Sequence, residues 1–172
     1  MKHGYIQVYT GTGKGKTTAA IGLALRAAGN GLHVFFGQFV KQRPCGEHKA
    51  LEQFSDRITV RRFGTGFIRT GVPNARAVSA AQNGFTESAA AILSGEYDVV
   101  ILDEINIVLH KKMINLKELL LLLDQKPIHT EIVLTGRNAP TALKRRADLV
   151  TEMKAIKHYM NAGVAARQGI EW

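Results

Sequence analysis

A glycine-rich segment close to the N-terminus constrains the fold more strongly than any other feature of this sequence. It runs from Thr10 to Thr17 as Thr-Gly-Thr-Gly-Lys-Gly-Lys-Thr. A short strand pattern at residues 5–9 precedes it, and alanine and leucine recur at helical spacing over residues 16–28 after it. A strand, a glycine turn and a helix in this order present backbone N–H groups and the positive end of a helix to an anion. The segment therefore predicts an α/β protein that binds phosphate groups.

The segment departs by one position from the usual phosphate-binding pattern, in which a glycine and four further residues precede Gly-Lys-Ser/Thr. Residues 15–17 supply the end of that pattern, but Thr10 stands where the first glycine is expected and Gly11 comes one residue later. The three glycines of the segment still allow the backbone to fold around an anion with its N–H groups inward. We expect Lys16 to meet the terminal phosphates of a nucleotide and Thr17 to meet a magnesium ion.

The rest of the chain alternates between apolar strand patterns and helical patterns, with no linker or repeat. Apolar strands separated by helices are typical of a parallel sheet covered on both faces. We therefore predict one domain over residues 1–172, an α/β protein with the three-layer P-loop (RecA-like) fold. The predicted strands are 5–9, 32–40, 58–63, 97–102, 131–134 and 149–153, and the predicted helices are 16–28, 47–54, 74–93, 116–123 and 139–146, followed by an irregular tail from 154.

Loops at the carboxyl ends of the strands are expected to form the binding site, because ligands of such sheets bind at that edge. These loops are 10–17, 37–46, 64–73, 103–112 and 135–138. The strand 99–102 ends directly in Asp103 and Glu104. A carboxylate at the end of a buried strand is a suitable magnesium ligand, and either of these two residues can serve.

The charge of the chain favours an anionic ligand. The 172 residues carry a formal net charge of +9, with basic residues scattered along the chain. Scattered charge points to a phosphate-bearing small molecule rather than to nucleic acid.

Cys45 is the only cysteine, which excludes an internal disulfide and fits a reducing compartment. With neither a signal-peptide pattern nor an apolar run of membrane-spanning length, the sequence predicts a cytoplasmic protein.

Several motifs together resemble the P-loop type of ATP:corrinoid adenosyltransferases, and the likeness covers essentially the whole chain. The shifted glycine segment is itself the form that this family uses. The other matching runs are Leu-Arg-Ala-Ala-Gly at 25–29, Gln-Phe-Val-Lys at 38–41, Leu-Asp-Glu-Ile-Asn at 102–106, Leu-Thr-Gly-Arg-Asn-Ala-Pro at 134–140, and the closing segments 147–154, 157–158 and 162–171.

The resemblance implies an enzyme that transfers the 5′-deoxyadenosyl group of ATP to the Co(I) of a reduced corrinoid and releases triphosphate. It implies that Lys16, Thr17 and Glu104 take part in catalysis, with Thr17 and Glu104 near Mg²⁺ or Mn²⁺. The residues it assigns to nucleotide or corrinoid binding are Gly11, Thr12, Gly13, Lys14, Gly15, Lys16, Thr17, Thr18, Arg26, Phe67 and Arg137. Phe67 matches an aromatic residue below the corrinoid, although Arg69 stands where the family pattern has tryptophan.

The resemblance also implies partners and leaves two other functions to be tested. It implies a flavoprotein or flavodoxin-like electron donor and a homodimer, with neither nucleic acid nor membrane as a partner. The residues alone are also compatible with an ATPase or small-molecule kinase that cleaves at the γ-phosphate, in which Glu104 beside Asp103 orients the attacking group. A third reading, encouraged by the positive charge, is a RecA-like ATPase that binds nucleic acid.

Overall fold

The computed structural model describes residues 2–41, 45–66 and 71–171, and its strands and helices alternate along the chain. The strands are β1 (Ile6–Thr10), β2 (Val34–Gln38), β3 (Ile58–Arg62), β4 (Val99–Asp103), β5 (Glu131–Thr135) and β6 (Leu149–Glu152). The helices are α1 (Lys16–Gly29), α2 (Gly46–Glu52), α3 (Ala75–Ser94), α4 (Ile105–His110), α5 (Leu116–Asp124) and α6 (Thr141–Arg146), and a 3₁₀ helix covers Tyr159–Ala162.

The six strands of the described residues form one sheet in the order β3-β2-β4-β5-β1-β6, and every neighbouring pair is parallel. Side chains alternate between the two faces of each strand, so both faces need a cover of helices. Val34 and Phe36 pack with helices α1 and α2, whereas Phe35 lies in the core beneath α3, α4 and α5. The predicted three-layer α/β architecture is confirmed.

Local signals in the sequence fix the ends of several helices. Helix α3 begins after Asn74, whose side chain accepts a hydrogen bond of 2.8 Å from the backbone N–H of Ala77. The same helix ends at Gly95, which takes a φ of 70° that glycine adopts without strain. The helix predicted over residues 74–93 differs from these bounds by one residue at each end.

Two segments differ from the expectation. Residues 103–112 were expected to form a loop, yet Asp103 ends β4 and residues 105–110 form the short helix α4. Glu104 makes this turn possible by adopting a φ of 65°, which is uncommon for a residue with a side chain. The tail, expected to be irregular, contains the 3₁₀ helix at Tyr159–Ala162. None of the helices in the described part of the chain combines the length and apolar character needed to cross a bilayer.

At the carboxyl edge of the sheet, the backbone of two glycines, Gly64 and Gly84, lies unusually close to neighbouring residues. A Cβ atom at Gly64 would overlap the carbonyl groups of Val40 and Lys41, so the loops after β2 and β3 pack directly on each other. A Cβ atom at Gly84 in α3 would lie 2.6 Å from the Cβ of Phe63, well inside normal contact distance. Glycine at position 84 therefore lets α3 lie against the end of β3.

This packing predicts opposite effects for the same substitution in two helices. Gly84→Ala should lower the free energy of unfolding by about 1–3 kcal/mol, because the added methyl group overpacks against Phe63. Gly22→Ala is the matched control, since a Cβ at Gly22 in α1 meets nothing within 4 Å. It should raise stability by up to about 1 kcal/mol through helix propensity. Urea unfolding of both variants checks this, and a stabilised Gly84→Ala protein would contradict the packing described.

Candidate functional site

Three neighbouring strands end in polar side chains that contact one another. The register of the sheet pairs Gln38 at the end of β2 with Asp103 at the end of β4. On the other side of β4, Leu102 pairs with Leu134 of β5, so the next residue of β5, Thr135, lies beside Asp103. The amide of Gln38 donates to Asp103 Oδ2 over 3.0 Å, and the hydroxyl of Thr135 donates to Asp103 Oδ1 over 2.6 Å. All three side chains are buried. The carboxyl edge thus carries a fixed, acceptor-rich group at its centre.

Helix α1, which follows the glycine-rich segment 10–17 (here called the phosphate loop), contacts this same carboxylate. The hydroxyl of Thr17 donates to Asp103 Oδ1 over 2.9 Å. Asp103 therefore accepts hydrogen bonds from side chains of α1, β2 and β5. Sequence reasoning left Asp103 and Glu104 as alternative partners of the magnesium ion, and the resemblance chose Glu104. The structure brings Thr17 into direct contact with Asp103.

Glu104 lies next to this group with one carboxylate oxygen unpartnered. Its backbone N–H donates to Thr135 Oγ1 over 3.0 Å, but its Oε2 is buried and has no hydrogen-bond partner among the described residues. Burial, followed by the nearby charge of Asp103, raises the pKa of the Glu104 carboxyl, and the positive charges of Lys41, Lys16 and Arg137 oppose that shift. A buried carboxylate oxygen that faces cations is a suitable ligand for a hard cation.

The region around Glu104 is crowded by backbone that only glycine allows. Gly136 has a φ of 127°, and a Cβ there would lie 3.2 Å from Glu104 Oε2 and 3.1 Å from the Cβ of Asn106. The amide of Asn106 donates to the carbonyl oxygen of Gly136 over 3.2 Å, while its own buried Oδ1 finds no partner in the described residues. Both residues next to Gly136 thus carry a buried acceptor that a bound cation or ordered water would satisfy.

Lys16 and the start of α1 have the features of an anion site. The ammonium of Lys16 is folded onto the loop and donates to the carbonyl oxygens of Gly11 (2.9 Å) and Gly13 (2.7 Å). Burial lowers the pKa of Lys16, and the charge of Glu104 acts in the opposite direction. Gly15 precedes the helix with a φ of 117° and supplies no side-chain cap. The N-terminal N–H groups of α1 are therefore not capped by a side chain of residue 15 and suit an anion.

Two glycines of the loop allow close packing against the chain that follows β6. The backbone N–H of Gly13 donates to the carbonyl oxygen of Met153 over 2.7 Å. A Cβ at Gly13 would lie 2.8 Å from that oxygen, and one at Gly11 would lie 2.9 Å from the backbone nitrogen of Met153. The N–H of Gly13 is therefore used by Met153 in this structure. The residues after β6 form one wall of the loop.

The other residues predicted for the site are distributed unevenly. Thr12 and Thr18 are exposed beside the loop, and Arg137 is exposed directly after Gly136, near Glu104. Lys14 points away from the loop interior, toward the segment that ends at Glu171. Arg26 occupies the last turn of α1, about 15 Å of helix rise from Lys16, so it is not brought to the phosphate loop. Phe67 lies outside the described residues.

The segment before Phe67 borders a small pocket lined mainly by apolar residues. Thr65 and Gly66, which directly precede Phe67, line it together with Phe39 and Phe63, whose rings lie 5.2 Å apart. Val40 at its rim has a φ of 70°, which is strained for a β-branched residue. An apolar surface thus adjoins the polar edge of the sheet.

Sequence reasoning missed a buried chain of hydrogen bonds that leads from α2 to Asp103. The backbone N–H of Cys45 donates to His48 Nδ1 over 2.9 Å, which leaves the proton on Nε2. This Nε2–H donates to Gln38 Oε1 over 2.7 Å, and Gln38 in turn donates to Asp103. Burial lowers the pKa of His48, which favours the neutral ring that this chain requires. No sequence pattern marked His48, because it lies on helix α2 and its partner Gln38 lies at the end of strand β2.

Comparison with known proteins gives a consistent result. A model of the ATP:corrinoid adenosyltransferase family BtuR/CobO/CobP matches residues 2–172. A corrinoid adenosyltransferase of a Sinorhizobium species is 39% identical, with 98% of this chain and 80% of that protein covered. Corrinoid adenosyltransferase CobA of Salmonella typhimurium is 36% identical, over 99% of this chain and 87% of the relative. A corrinoid adenosyltransferase of Pseudomonas aeruginosa is 31% identical, over 99% and 85%.

A solved structure with a similar fold is the flagellar accessory protein FlaH from Methanocaldococcus jannaschii. The two chains superpose with a TM-score of 0.59 over 88% of this chain and 72% of the other, at 14% sequence identity. At that identity the likeness concerns the fold alone.

The pKa of His48 predicts how the stability of the protein depends on pH. A histidine whose pKa is lowered by folding stabilises the native state fully above the unfolded pKa of about 6.5, and this stability is lost as the pH falls below it. The loss is at most about 1.4 kcal/mol per pH unit. His48→Gln keeps an N–H donor without titrating, so its unfolding free energy should fall less than that of the wild type between pH 8 and pH 5.

The control for this measurement is Lys49→Gln, an exposed change on the same helix. Urea unfolding at several pH values should give a Lys49→Gln curve parallel to the wild type. Parallel curves for His48→Gln and the wild type would contradict the buried neutral histidine.

Proposed function

The chain belongs to the family of ATP:corrinoid adenosyltransferases, and from this premise we propose how its residues carry out the transfer. The enzyme is a transferase that uses ATP to adenosylate a corrinoid, as in cobalamin biosynthesis. We propose that the 5′-deoxyadenosyl group moves to Co(I) and that triphosphate leaves as one piece. The observation that carries this proposal is the convergence of Thr17, Asp103 and the unpartnered Glu104 oxygen beside Lys16.

Charge on the leaving group is the main problem that the protein has to solve. Co(I) in a corrin is a strong nucleophile, so the transfer needs alignment of cobalt, the 5′ carbon and the leaving oxygen rather than a general base. A cobalt–carbon bond forms and the bond from the 5′ carbon to the α-phosphate oxygen breaks. Lys16 and the N–H groups at the start of α1 would stabilise the negative charge that stays on triphosphate.

The residues at the strand ends fit a divalent ion. Thr17 and Glu104 are the proposed ligands of Mg²⁺ or Mn²⁺, and Asp103 holds the Thr17 hydroxyl in place. The described residues contain no cluster of three or more His, Cys, Asp or Glu side chains of metal-binding geometry. This suits magnesium, which commonly binds through one or two protein groups plus phosphates and water. When bound, the ion would neutralise part of the triphosphate charge.

The corrinoid and its electron donor complete the proposal. The corrin ring would lie against the loop 64–66 and the small pocket beneath it. Phe67, which lies outside the described residues, stays the proposed aromatic residue below the ring. Co(II) needs one electron to become Co(I), and a flavoprotein or flavodoxin-like protein is a suitable donor.

We also propose a homodimer and a cytoplasmic location. The exposed apolar residues Leu149 and Val150 on the edge strand β6 support a partner chain there.

The identity of the phosphate product tests the proposed function. Incubation with ATP, magnesium and chemically reduced cobalamin should give triphosphate and a light-sensitive organocobalt spectrum. Hydrolysis at the γ-phosphate would instead give ADP without any corrinoid, and DNA would stimulate it in a RecA-like ATPase. ADP as the only phosphate product would overturn the proposal.

Glu104→Gln tests the proposed metal ligand. Loss of the carboxylate charge should lower kcat/KM for ATP by at least roughly tenfold and raise the magnesium concentration that gives half-maximal activity. The melting temperature should not fall, because burial disfavours the charged form of Glu104. Glu96→Gln is a matched control, since Glu96 is exposed before the opposite end of β4. An unchanged magnesium dependence in Glu104→Gln would count against Glu104 as a ligand.

A further inference from the structure

The residues that follow β6 return to the phosphate loop and contact it through both of their ends. We call residues 153–171 the C-terminal segment. Its first residue, Met153, accepts the hydrogen bond from the N–H of Gly13. Its last residue, Glu171, reaches Lys14, the next residue of the loop. Two adjacent loop residues are therefore held by opposite ends of one segment.

The ammonium group of Lys14 is fully used by this segment. It donates to the hydroxyl of Tyr159 over 2.8 Å, to the carbonyl oxygen of Ile170 over 3.0 Å and to Glu171 Oε1 over 2.8 Å. An ammonium has three N–H donors, so these contacts satisfy all of them. In this arrangement Lys14 has no donor left for a phosphate. This placement differs from the role in nucleotide binding that the resemblance implies.

Glu171 is the centre of a small network of charged and aromatic groups. The hydroxyl of Tyr159 donates to its Oε1, and the backbone N–H of Arg167 donates to its Oε2 over 2.7 Å. The guanidinium of Arg167 lies 4.9 Å from the centre of the Tyr159 ring. Hydrogen bonds from Lys14, Tyr159 and the Arg167 backbone hold the pKa of Glu171 far below its usual range. The carboxylate is thus ionised at neutral pH and keeps its three partner residues, Lys14, Tyr159 and Arg167, together.

The network matters because the loop it contacts is rich in glycine. Gly11 and Gly15 have φ values of 100° and 117°, which a free glycine segment adopts only as one of many conformations. Ordering such a loop costs backbone entropy when a ligand binds it. Contacts that order the loop beforehand reduce that cost. Three residues of the loop are hydrogen-bonded to the C-terminal segment: Thr10 and Gly13 through the backbone of Met153, and Lys14 through its side chain.

We propose that Lys14 anchors the phosphate loop to the C-terminal segment, and that Glu171 and Tyr159 are positioning residues that pre-order the loop for the triphosphate of ATP. The inference rests on the proposed function only in its choice of ATP as the ligand. It assigns a part in ATP binding to side chains that lie more than 140 positions after the loop in the sequence.

ATP binding by variants of the three residues tests the proposal. Lys14→Met, Glu171→Gln and Tyr159→Phe should each raise the Kd and the KM for ATP by roughly threefold to fivefold, the range of an exposed ion pair, while kcat changes little. The double variant Lys14→Met/Glu171→Gln should bind ATP no more weakly than the weaker single variant, because both changes remove the same contact. Exposed Lys144→Met and Glu96→Gln are matched controls and should bind ATP like the wild type.

Two outcomes would overturn the proposal. If Lys14 is instead a phosphate ligand, Lys14→Met alone weakens ATP binding and Glu171→Gln leaves it unchanged. If the segment withholds Lys14 from the phosphates, Glu171→Gln tightens ATP binding. The Kd for ATP is measured by calorimetry in the presence of magnesium and without corrinoid. A failure of the proposed transferase activity therefore does not affect the measured Kd.

Limited proteolysis gives a readout that needs no activity. Trypsin should cut the C-terminal segment at Lys154, Lys157 or Arg167 faster in Lys14→Met than in Lys144→Met, although the substituted residue lies in the loop. ATP should slow this cleavage in the wild type, since ordering of the loop and docking of the segment are linked. Equal cleavage rates in the two variants, or no effect of ATP on the wild type, would contradict the coupling.

Discussion

The carboxylate of Asp103 is the contact on which the arrangement of the site depends. It lies at the end of the central strand β4, accepts from Gln38 and Thr135 on the two neighbouring strands, and holds the hydroxyl of Thr17 at the start of α1. These bonds fix the helix to the sheet edge at the point where a triphosphate would lie. The next residue, Glu104, turns the chain with a φ of 65° and has a buried carboxylate oxygen without a partner in the described residues.

The chemistry of the family explains why a rigid acceptor is useful here. In the proposed mechanism, the loop and Lys16 retain a highly charged leaving group, while the bond that breaks lies at the far end of that group. Most of the work is therefore charge dispersal and alignment, which preorganised dipoles and fixed side chains do well. His48 and Gln38 help to keep the Asp103 carboxylate oriented, because a neutral chain of hydrogen bonds leads from His48 through Gln38 to Asp103.

The parts of the structure that follow from local residue types were predicted well. The loop, the alternation of strands and helices, and the caps at Asn74 and Gly95 all follow from short-range patterns. Contacts that depend on strand order were not predictable in the same way. The choice of Asp103 as the partner of Thr17 needed the register of β4, and His48 needed the packing of α2 on β2. Helix α4 was missed because its turn depends on Glu104 at a positive φ, which no residue pattern marks.

The backbone of Met153 shapes the glycine loop from outside, through a hydrogen bond to Gly13 and through close packing on Gly11. Strand β1 and the loop leave the ribosome early, whereas β6 and Met153 emerge only after β2 to β5. A nascent chain that has exposed the first five strands therefore contains every residue of the loop but lacks the wall that gives the loop its form. The wall of the loop is therefore completed late in translation, although the glycine-rich motif itself lies among the first 20 residues.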